Sequence, residues 1–373
     1  MRLLLFSLST IFISSYTYGQ GCCSGGSCNP VAGGTSVGVL QAKQMEISMS
    51  EQYVNSNRFK SGSKDTATLF DYFHSNYLYT RLAYGVTKNL TMSVEWGYYI
   101  NKTEVGLNRV DTVTAKGIGD LILFPRYDVY NHSTETKKTE ITLGLGYKIP
   151  LGACNDSTLA YHNPVTGKNI YTTSPPLVQP TTGSQDIILY SFFFRGYPKK
   201  NFRIFANALY IKKGWNSLGQ KFGDYGSVAI FAGKTFFKKL GVTLQVKGEM
   251  VSKMQYDKNI DMIALYNVYP QYTGGKKVFF VPQLSYSFNS FSVFVLGEVP
   301  LYQYLNKAQM ASQYSFTTGI SYRFSTAKKF TPKEGETYYI CPMKCEGSAS
   351  NEQGKCPVCG MQLIQEIPQI LPK

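Results

Sequence analysis

The stretch "LTMSVEWGY", residues 90–98, alternates apolar and polar side chains along its whole length. The apolar parity holds Leu90, Met92, Val94, Trp96 and Tyr98, and the polar parity holds Thr91, Ser93, Glu95 and Gly97. Side chains of a strand point to opposite faces in turn, so this period of two predicts a β-strand with one apolar face. The same period recurs in "ITLGLGY" (141–147), "VTLQVKGEM" (242–250) and "YSFTTGISYRF" (314–324). A soluble β-sandwich also shows such alternation, so strand length and loop spacing must separate the two fold classes.

Candidate strands are long and numerous. They lie at 44–54, 73–86, 89–100, 119–130, 139–149, 186–197, 202–212, 225–236, 240–252, 278–288, 291–301 and 314–325. Each has at least the roughly 9–11 residues that a tilted strand needs to cross a bilayer. Strands of soluble proteins usually have about 5–6 residues. Strand length therefore favours a membrane protein over a sandwich.

The connections between these strands alternate between short and long. The short ones contain "VTKN", "YPKKN", "FFKKL" and "FNS", together with the somewhat longer "NHSTETKKT". Long polar loops are expected near 55–72, 101–118, 150–185, 213–224, 253–277 and 302–313. Outer-membrane barrels have short periplasmic turns and long outer loops. The sequence thus predicts an all-β fold: a transmembrane up-and-down antiparallel β-barrel of about 12 strands over residues 44–325. The location predicted is the outer membrane of a Gram-negative bacterium, with both termini periplasmic.

The composition agrees with a lipid-facing barrel. Only 16% of the 373 residues are charged, whereas Tyr (29) and Phe (23) are abundant. Aromatic girdles at the two membrane interfaces require many such residues. The net charge of +15 is spread through short turns rather than gathered on one segment. This distribution argues against nucleic acid as a partner and indicates either an ordinary basic turn surface or attraction to anionic lipid head groups.

The first residues have the features of an export signal. Arg2 precedes an apolar run from Leu3 to Ile13, and small or polar residues follow it up to Gly19. We predict a signal peptide over residues 1–19, because the apolar run is too short to span a membrane. An alternative is a lipoprotein in which Cys22 is lipidated. No later run of 18 apolar residues occurs, so no transmembrane helix is expected in the mature chain.

Several charged residues fall on the inward parity of the predicted strands. They are Glu95, Arg203, Lys247, Glu249, Glu298 and Arg323. They would either line a permeation path or form ion pairs that fill the lumen. The sequence leaves these two possibilities open.

A cysteine cluster follows the last strand. A polar linker, residues 326–337, leads to Cys341, Cys345, Cys356 and Cys359 in a C-x3-C-x10-C-x2-C spacing. Two short cysteine pairs that meet across a loop can supply four thiolates to one ion. Lys344 and Lys355 each adjoin a cysteine, and their positive charge favours the thiolate form.

Sulfur ligands select soft or borderline ions, above all Cu(I) or Zn(II), then Ag(I) or Cd(II). Met343 and Met361 would add thioether ligands suited to Cu(I). The alternative is a pair of disulfides, because the periplasm is oxidising.

The stretch "YYICPMKCEGSASNEQGKCPVCGMQL", residues 338–363, resembles the heavy-metal-binding domain that begins Y-x-C-P-M and ends G-K-C-P-x-C-G-M. That domain occurs on copper and silver efflux adaptors and on heavy-metal-transporting P-type ATPases. The resemblance implies metal binding by residues 338–365, in a setting of metal transport or resistance, followed by a short end at 366–373. Lys344 and Cys345 stand where the commonest form has histidine and proline, so the ligand set does not transfer directly. The barrel layout is also similar to that of transporter-like outer-membrane proteins.

A second thiol group, with less defined spacing, lies in a Cys/Gly-rich periplasmic leader predicted over residues 20–43. Its members are Cys22, Cys23 and Cys28 in "GCCSGGSCNP". They would bind metal on the same side of the membrane as the tail, or they would form a local disulfide in a flexible leader. Cys154 stands alone in a predicted outer loop and is expected to be incidental.

Enzyme motifs are absent from the sequence. It contains no P-loop, no G-x-S-x-G and no H-E-x-x-H, so we predict that the protein is not an enzyme. The function predicted is heavy-metal transport, efflux or tolerance, with membrane lipid and a metal ion as partners and a periplasmic efflux component as a further candidate. One alternative is a non-transporting barrel whose tail buffers or senses metal. Another is a structural barrel whose cysteines form disulfides.

Overall fold

The computed structural model shows a closed β-barrel. It describes residues 38–109, 112–134, 136–237, 239–262, 269–288, 290–313, 315–326, 337–340, 349–353 and 363–366. The predicted signal peptide, most of the leader and the cysteine-rich parts of the tail lie outside these residues. No helix within the described ranges is long and apolar enough to cross a membrane.

Twelve long antiparallel strands form the barrel. In chain order they are β1 (Gln44–Ser56), β2 (Tyr72–Gly85), β3 (Leu90–Val105), β4 (Val113–Ser133), β5 (Lys138–Pro150), β6 (Asp186–Tyr197), β7 (Phe202–Lys212), β8 (Tyr225–Phe236), β9 (Leu240–Val251), β10 (Gly275–Phe288), β11 (Phe291–Met310) and β12 (Ser315–Ser325). Each strand pairs with its neighbours in sequence, and β1 pairs with β12 from Gln44↔Ser325 to Val54↔Ser315. The predicted all-β class and the strand number are confirmed. Closure leaves no open sheet edge, as a sheet surrounded by lipid requires.

The two faces of the sheet have the polarity of a membrane barrel. On β3, Val94 faces outward and is 37% exposed, whereas the neighbouring Glu95 faces inward and is 0% exposed. The same contrast holds on β5, where Leu145 is 57% exposed and Thr142 is buried. Apolar side chains therefore form the outer surface and polar side chains form much of the lumen wall, as in membrane barrels.

The two ends of the barrel differ in their connections. At the short-turn end the strands are joined at 86–89, 134–137, 198–201, 237–239 and 289–290, and the chain enters at Gln44 and leaves at Ser325. At the long-loop end the connections are 57–71, 106–112, 151–185, 213–224, 252–274 and 311–314.

Several strands at the long-loop end are longer than predicted. β3 and β4 extend into the expected loop 101–118, and β11 continues to Met310 through most of the expected loop 302–313. These extensions are polar and carry bulges, so they lack the regular alternation that marks the membrane part.

Short strands and helical turns lie in the connections between the barrel strands. The strands Phe59–Gly62 and Lys64–Asp65 pair with each other and extend the sheet at β11, and Ser157–His162 pairs with Asn169–Thr173 inside the loop 151–185. The two-residue strands Gln220–Lys221 and Gln255–Tyr256 join two further loops. Three short 3₁₀ segments in the described ranges are Leu107–Arg109, Pro198–Lys200 and Pro270–Tyr272. The tail contributes the strands Tyr338–Ile340 and Ile364–Glu366.

A charge placed on the outer surface tests whether this surface faces lipid. Leu145 lies near the middle of β5 and faces outward, so Leu145→Arg is expected to lower the free energy of unfolding in bilayers by about 2–4 kcal/mol. Leu159→Arg is the matched control, since Leu159 is comparably exposed but lies in the loop 151–185, and we expect almost no change. Urea titration in lipid vesicles measures both variants. Equal stability of the two would contradict a lipid-facing β5.

Candidate functional site

An ion triad occupies the lumen near the short-turn end. The Glu46 carboxylate on β1 accepts hydrogen bonds from Arg81 on β2 and from Arg323 on β12, with Arg323 Nε 3.0 Å from Oε2. Arg81 and Glu46 are both fully buried from solvent. Two cations that contact one carboxylate offset the free-energy cost of burying it. These contacts also link β1 to β2 and β12, the strands at which the barrel closes.

Glu95 lies next to this triad within a group of hydroxyls. Tyr79 Oη donates to Glu95 Oε2, and Ser93 Oγ donates to Oε1 at 3.1 Å. The rings of Tyr77 and Tyr99 contact each other with centroids 4.5 Å apart and planes tilted by 44°. Gly97 makes room for the Tyr77 side chain, because a Cβ there would lie 2.0 Å from Tyr77 Oη. The carboxylate is thus enclosed by hydrogen-bond donors rather than presented to an open path.

A second charged group lies on β9, β10 and β11. Lys247 Nζ is 2.6 Å from Glu298 Oε1 and 3.7 Å from Glu249 Oε2, and it lies 4.8 Å from the Phe279 ring centroid. Lys277 Nζ is 4.0 Å from Glu249 Oε1. Of the six inward charges predicted from sequence, five therefore have partners, whereas Arg203 has no acidic partner within the described residues.

Part of the lumen wall is apolar. A buried apolar cluster lies on β4, β6, β7 and β8. Its members are Ile122, Phe124, Ile188, Tyr190, Phe192, Leu209, Ile211 and Tyr225. The lumen wall thus combines charged and polar side chains with one aromatic and aliphatic cluster.

A buried network of four alternating charges lies toward the long-loop end. Lys148 Nζ is 3.1 Å from Asp120 Oδ2 and 3.0 Å from Asp186 Oδ2, and Lys213 Nζ is 2.9 Å from the same Asp186 oxygen. The sequence analysis did not identify this group. A signal was present, since Lys148 continues the polar parity of "ITLGLGY", but the acidic partners come from other strands.

Part of the loop 151–185 folds into the lumen over this network. Ser174, Val178, Gln179 and Ser184 are buried, and Gln179 Nε2 donates to the Ser174 carbonyl at 2.9 Å. Thr181 Oγ1 also donates to the Asp120 carboxylate. The long-loop end is therefore narrowed by its own loop, which no sequence pattern predicted.

The chain also enters the lumen at the opposite, short-turn end. Leu40 is buried, and its backbone N–H donates to Thr91 Oγ1 at 2.7 Å on β3. The N–H of Val39 donates to Glu140 Oε1 at 3.3 Å on β5. The last residues of the predicted leader thus lie inside the barrel mouth. Gly38, the first of them that the structure describes, follows Cys28 by ten residues.

The tail is organised around a short antiparallel ladder. Tyr338 pairs with Glu366, Tyr339 with Gln365 and Ile340 with Ile364, and Tyr339 also bridges to Ser350. The ladder ends at Ile340, directly before Cys341, and Leu363 on the other side is buried. This pairing brings together the two ends of the segment whose sequence carries the cysteines.

The predicted metal ligands themselves are not among the described residues. Cys341, Cys345, Cys356, Cys359, Met343 and Met361 fall outside them, as do Cys22, Cys23 and Cys28. Within the part that is described, no three His, Cys, Asp or Glu side chains converge as a ligand group. Cys154 is a free thiol. The ligand set therefore stays a prediction.

Together these features define a class: a closed outer-membrane-type β-barrel with a lined lumen and a small C-terminal module. Residues 338–366 match the heavy metal binding domain family, and the ends of the match coincide with the paired strands of the tail. The predicted resemblance to this family is confirmed. The domain's family implies metal binding, without specifying the metal.

The barrel is similar in fold to solved outer-membrane proteins. An outer membrane channel from Pseudomonas putida F1 superimposes with a TM-score of 0.57 at 10% identity, over 77% of this chain and 97% of that chain. The translocator domain of the autotransporter NalP from Neisseria meningitidis gives a TM-score of 0.40 at 11% identity, over 79% of this chain and 91% of that chain. No protein of curated function matches the chain in sequence. The first likeness shows the fold and supports an outer-membrane location.

Proposed function

We propose that this protein is an outer-membrane β-barrel that binds a soft transition-metal ion in its tail and acts in heavy-metal transport, efflux or tolerance. The observation that carries the proposal is the paired ladder Tyr338–Ile340 with Ile364–Glu366, which frames a cysteine cluster matching the heavy metal binding domain. In this proposal the thiolates of Cys341, Cys345, Cys356 and Cys359 hold Cu(I) or Zn(II), and Met343 and Met361 supply thioether contacts to Cu(I).

The connection of the tail to the barrel supports delivery to the barrel mouth. β12 ends at Ser325 at the short-turn end, where Thr326 N donates to the Lys43 carbonyl at 2.8 Å. The linker 326–337 spans at most about 40 Å when fully extended, which is enough to reach the mouth from its rim. The leader enters the same mouth, so both cysteine segments attach to one end of the barrel.

The orientation follows from the loops. Outer-membrane barrels keep their short turns in the periplasm, which would place both termini there. A metal bound by the tail would then be held on the periplasmic side, where an efflux component is the natural partner. Residues 1–19 would act as the export signal, 20–43 as the leader, 44–325 as the barrel and 338–365 as the metal domain. No enzymatic activity is part of this proposal.

Flux measurements test the transport step. The full chain, reduced and reconstituted into liposomes that contain a Zn(II)-sensing dye, is expected to admit Zn(II) several-fold faster than the Cys356→Ser/Cys359→Ser double variant. The physical reason is that thiolates concentrate the ion at the mouth, whereas the lumen wall is the same in both proteins. The K⁺ flux of the two proteins is the control and should be equal.

The other outcomes separate the alternatives. Equal Zn(II) flux through both proteins, with metal still bound by the full chain, would favour a barrel whose tail buffers or senses metal. Zn(II) flux no higher than in protein-free liposomes would refute transport. A full chain that binds no metal and has lost four reactive thiols would support the disulfide alternative.

A further inference from the structure

A cavity of ≈ 390 Å³ lies at the long-loop end of the lumen. Strands β3, β4 and β11 contribute to its wall, and the connections 57–71, 151–185, 213–224 and 252–274 contribute the rest. Its apolar lining includes Phe70, Tyr99, Phe222, Met254, Tyr269 and Tyr272. The volume is within the range of about 300–1,000 Å³ that small-molecule sites occupy. The cavity is distant in the fold from the short-turn end, where the tail attaches.

A bulge in β3 turns a carboxylate toward this cavity. Tyr99 faces the lumen and pairs with Tyr77, but the register shifts after it, so Lys102 pairs with Ser75 and Glu104 with Phe73. Ser75 and Phe73 are fully buried inward residues. Residues directly opposite each other in a ladder share a face, so the shifted register places Lys102 and Glu104 in the cavity wall. Strict alternation would have assigned both to the outer face.

Two of the three charges in the cavity wall are already engaged. Lys102 Nζ donates to the Gln179 carbonyl at 2.8 Å and lies 4.7 Å from the Tyr99 ring centroid. Asp120 accepts from Lys148 Nζ at 3.1 Å and from Thr181. Glu104, by contrast, has no hydrogen-bond or ion-pair partner within the described residues. Glu104 is only partly exposed, and a carboxylate partly withdrawn from water is costly unless a donor or cation compensates it.

We propose that the cavity binds an organic ammonium compound with an aromatic or aliphatic body. Glu104 would form a charge-assisted hydrogen bond with the ammonium group, and the aromatic wall would cover the apolar body and face the cation with its rings. No three His, Cys, Asp or Glu side chains converge there among the described residues, so the cavity lacks the ligand set that a metal ion needs. The site is thus separate from the thiol cluster and goes beyond the proposed metal function.

Calorimetry with an isosteric probe pair tests this site. Tryptamine and its uncharged counterpart tryptophol are titrated into the full chain in nanodiscs. Tryptamine is expected to bind the wild type. Glu104→Gln is expected to lower the affinity for tryptamine at least tenfold and to leave the affinity for tryptophol unchanged. Unchanged tryptophol binding also shows that the cavity of the variant is intact.

Glu51→Gln is the matched control. Glu51 is an exposed residue of β1 outside the lumen, so the same chemical change there should leave tryptamine binding as in the wild type. Equal tryptamine affinity in the wild type and Glu104→Gln would overturn the proposal, as would heats no larger than those of empty nanodiscs. If Glu104→Gln fails to fold, Glu104→Asp keeps the charge and should retain the preference for tryptamine over tryptophol. Loss of that preference in a folded Glu104→Asp protein would count against the proposal.

Discussion

Tight metal binding by the full chain is expected to disappear when Cys356 and Cys359 are both replaced by serine. The proposed site has four thiolates, and this change removes one complete pair, the C-x2-C half. Loss of an outer-shell partner alone weakens metal sites by about 10- to 100-fold, so loss of two direct ligands should exceed roughly 100-fold. Titration of Zn(II) and Cu(I) against a competing chelator, with the thiolate-to-metal absorption band as readout, measures the change.

Cys154→Ser provides the matched control for this titration. Cys154 is a free thiol in the loop 151–185, remote in sequence from the tail, and its loss should leave affinity and stoichiometry unchanged. A double variant that binds metal as tightly as the wild type would refute the proposed ligand set. Equal loss in Cys154→Ser would show that the metal is held elsewhere. The ion bound more tightly by the wild type would identify the preferred metal.

The second large effect is expected at Asp186, where Asp186→Asn should lower the free energy of unfolding by about 3–5 kcal/mol. Asp186 is 0% exposed, and one of its oxygens contacts both Lys148 and Lys213. Its other oxygen accepts from Ser184 Oγ at 2.8 Å and from Gly214 N at 3.1 Å. Neutralising it leaves two buried ammonium groups with Asp120 as the remaining carboxylate of the network. Urea unfolding in lipid vesicles gives the difference.

Asp65→Asn removes a surface ion pair of similar length and serves as the comparison. Asp65 Oδ1 is 2.8 Å from Lys60 Nζ, but the Asp65 side chain is 76% exposed, so the expected cost is only about 0–1 kcal/mol. The contrast isolates burial as the cause, since both changes convert one aspartate to asparagine. If Asp186→Asn proves as stable as Asp65→Asn, the network contributes little and its lysines are solvated.

The local pattern predicted the barrel wall well. The alternation in 90–98 and 141–147 assigned Val94 and Leu145 to lipid and Glu95 to the lumen, because the side-chain period of a strand is a property of its backbone. It failed beyond the membrane, where β3 and β11 continue as polar, bulged strands. There neither face touches lipid, so no selection for an apolar parity marks the strand. The bulge that turns Glu104 inward lies in this region.

The lumen could not be predicted from the pattern in the same way. The alternation showed that Arg323 faces inward. It did not show that Arg323 would bind Glu46, which lies on the first strand of the barrel. Ion pairs such as Lys148–Asp186 join strands separated by a long loop, and they depend on the register of several ladders at once. Nor does a polar loop sequence reveal that residues near Gln179 fold back into the barrel.

The sequence by itself determined the membrane-type barrel, its lipid-facing residues and the cysteine spacing of the tail, because strand periodicity and ligand spacing are local properties of the chain. Only the tertiary structure decided which buried charges neutralise one another, which segments enter the lumen from each end and where a cavity with an unengaged carboxylate remains. Those features arise when closure of β1 on β12 brings distant residues into contact. Contacts of this kind depend on long-range register, which short-range alternation does not encode.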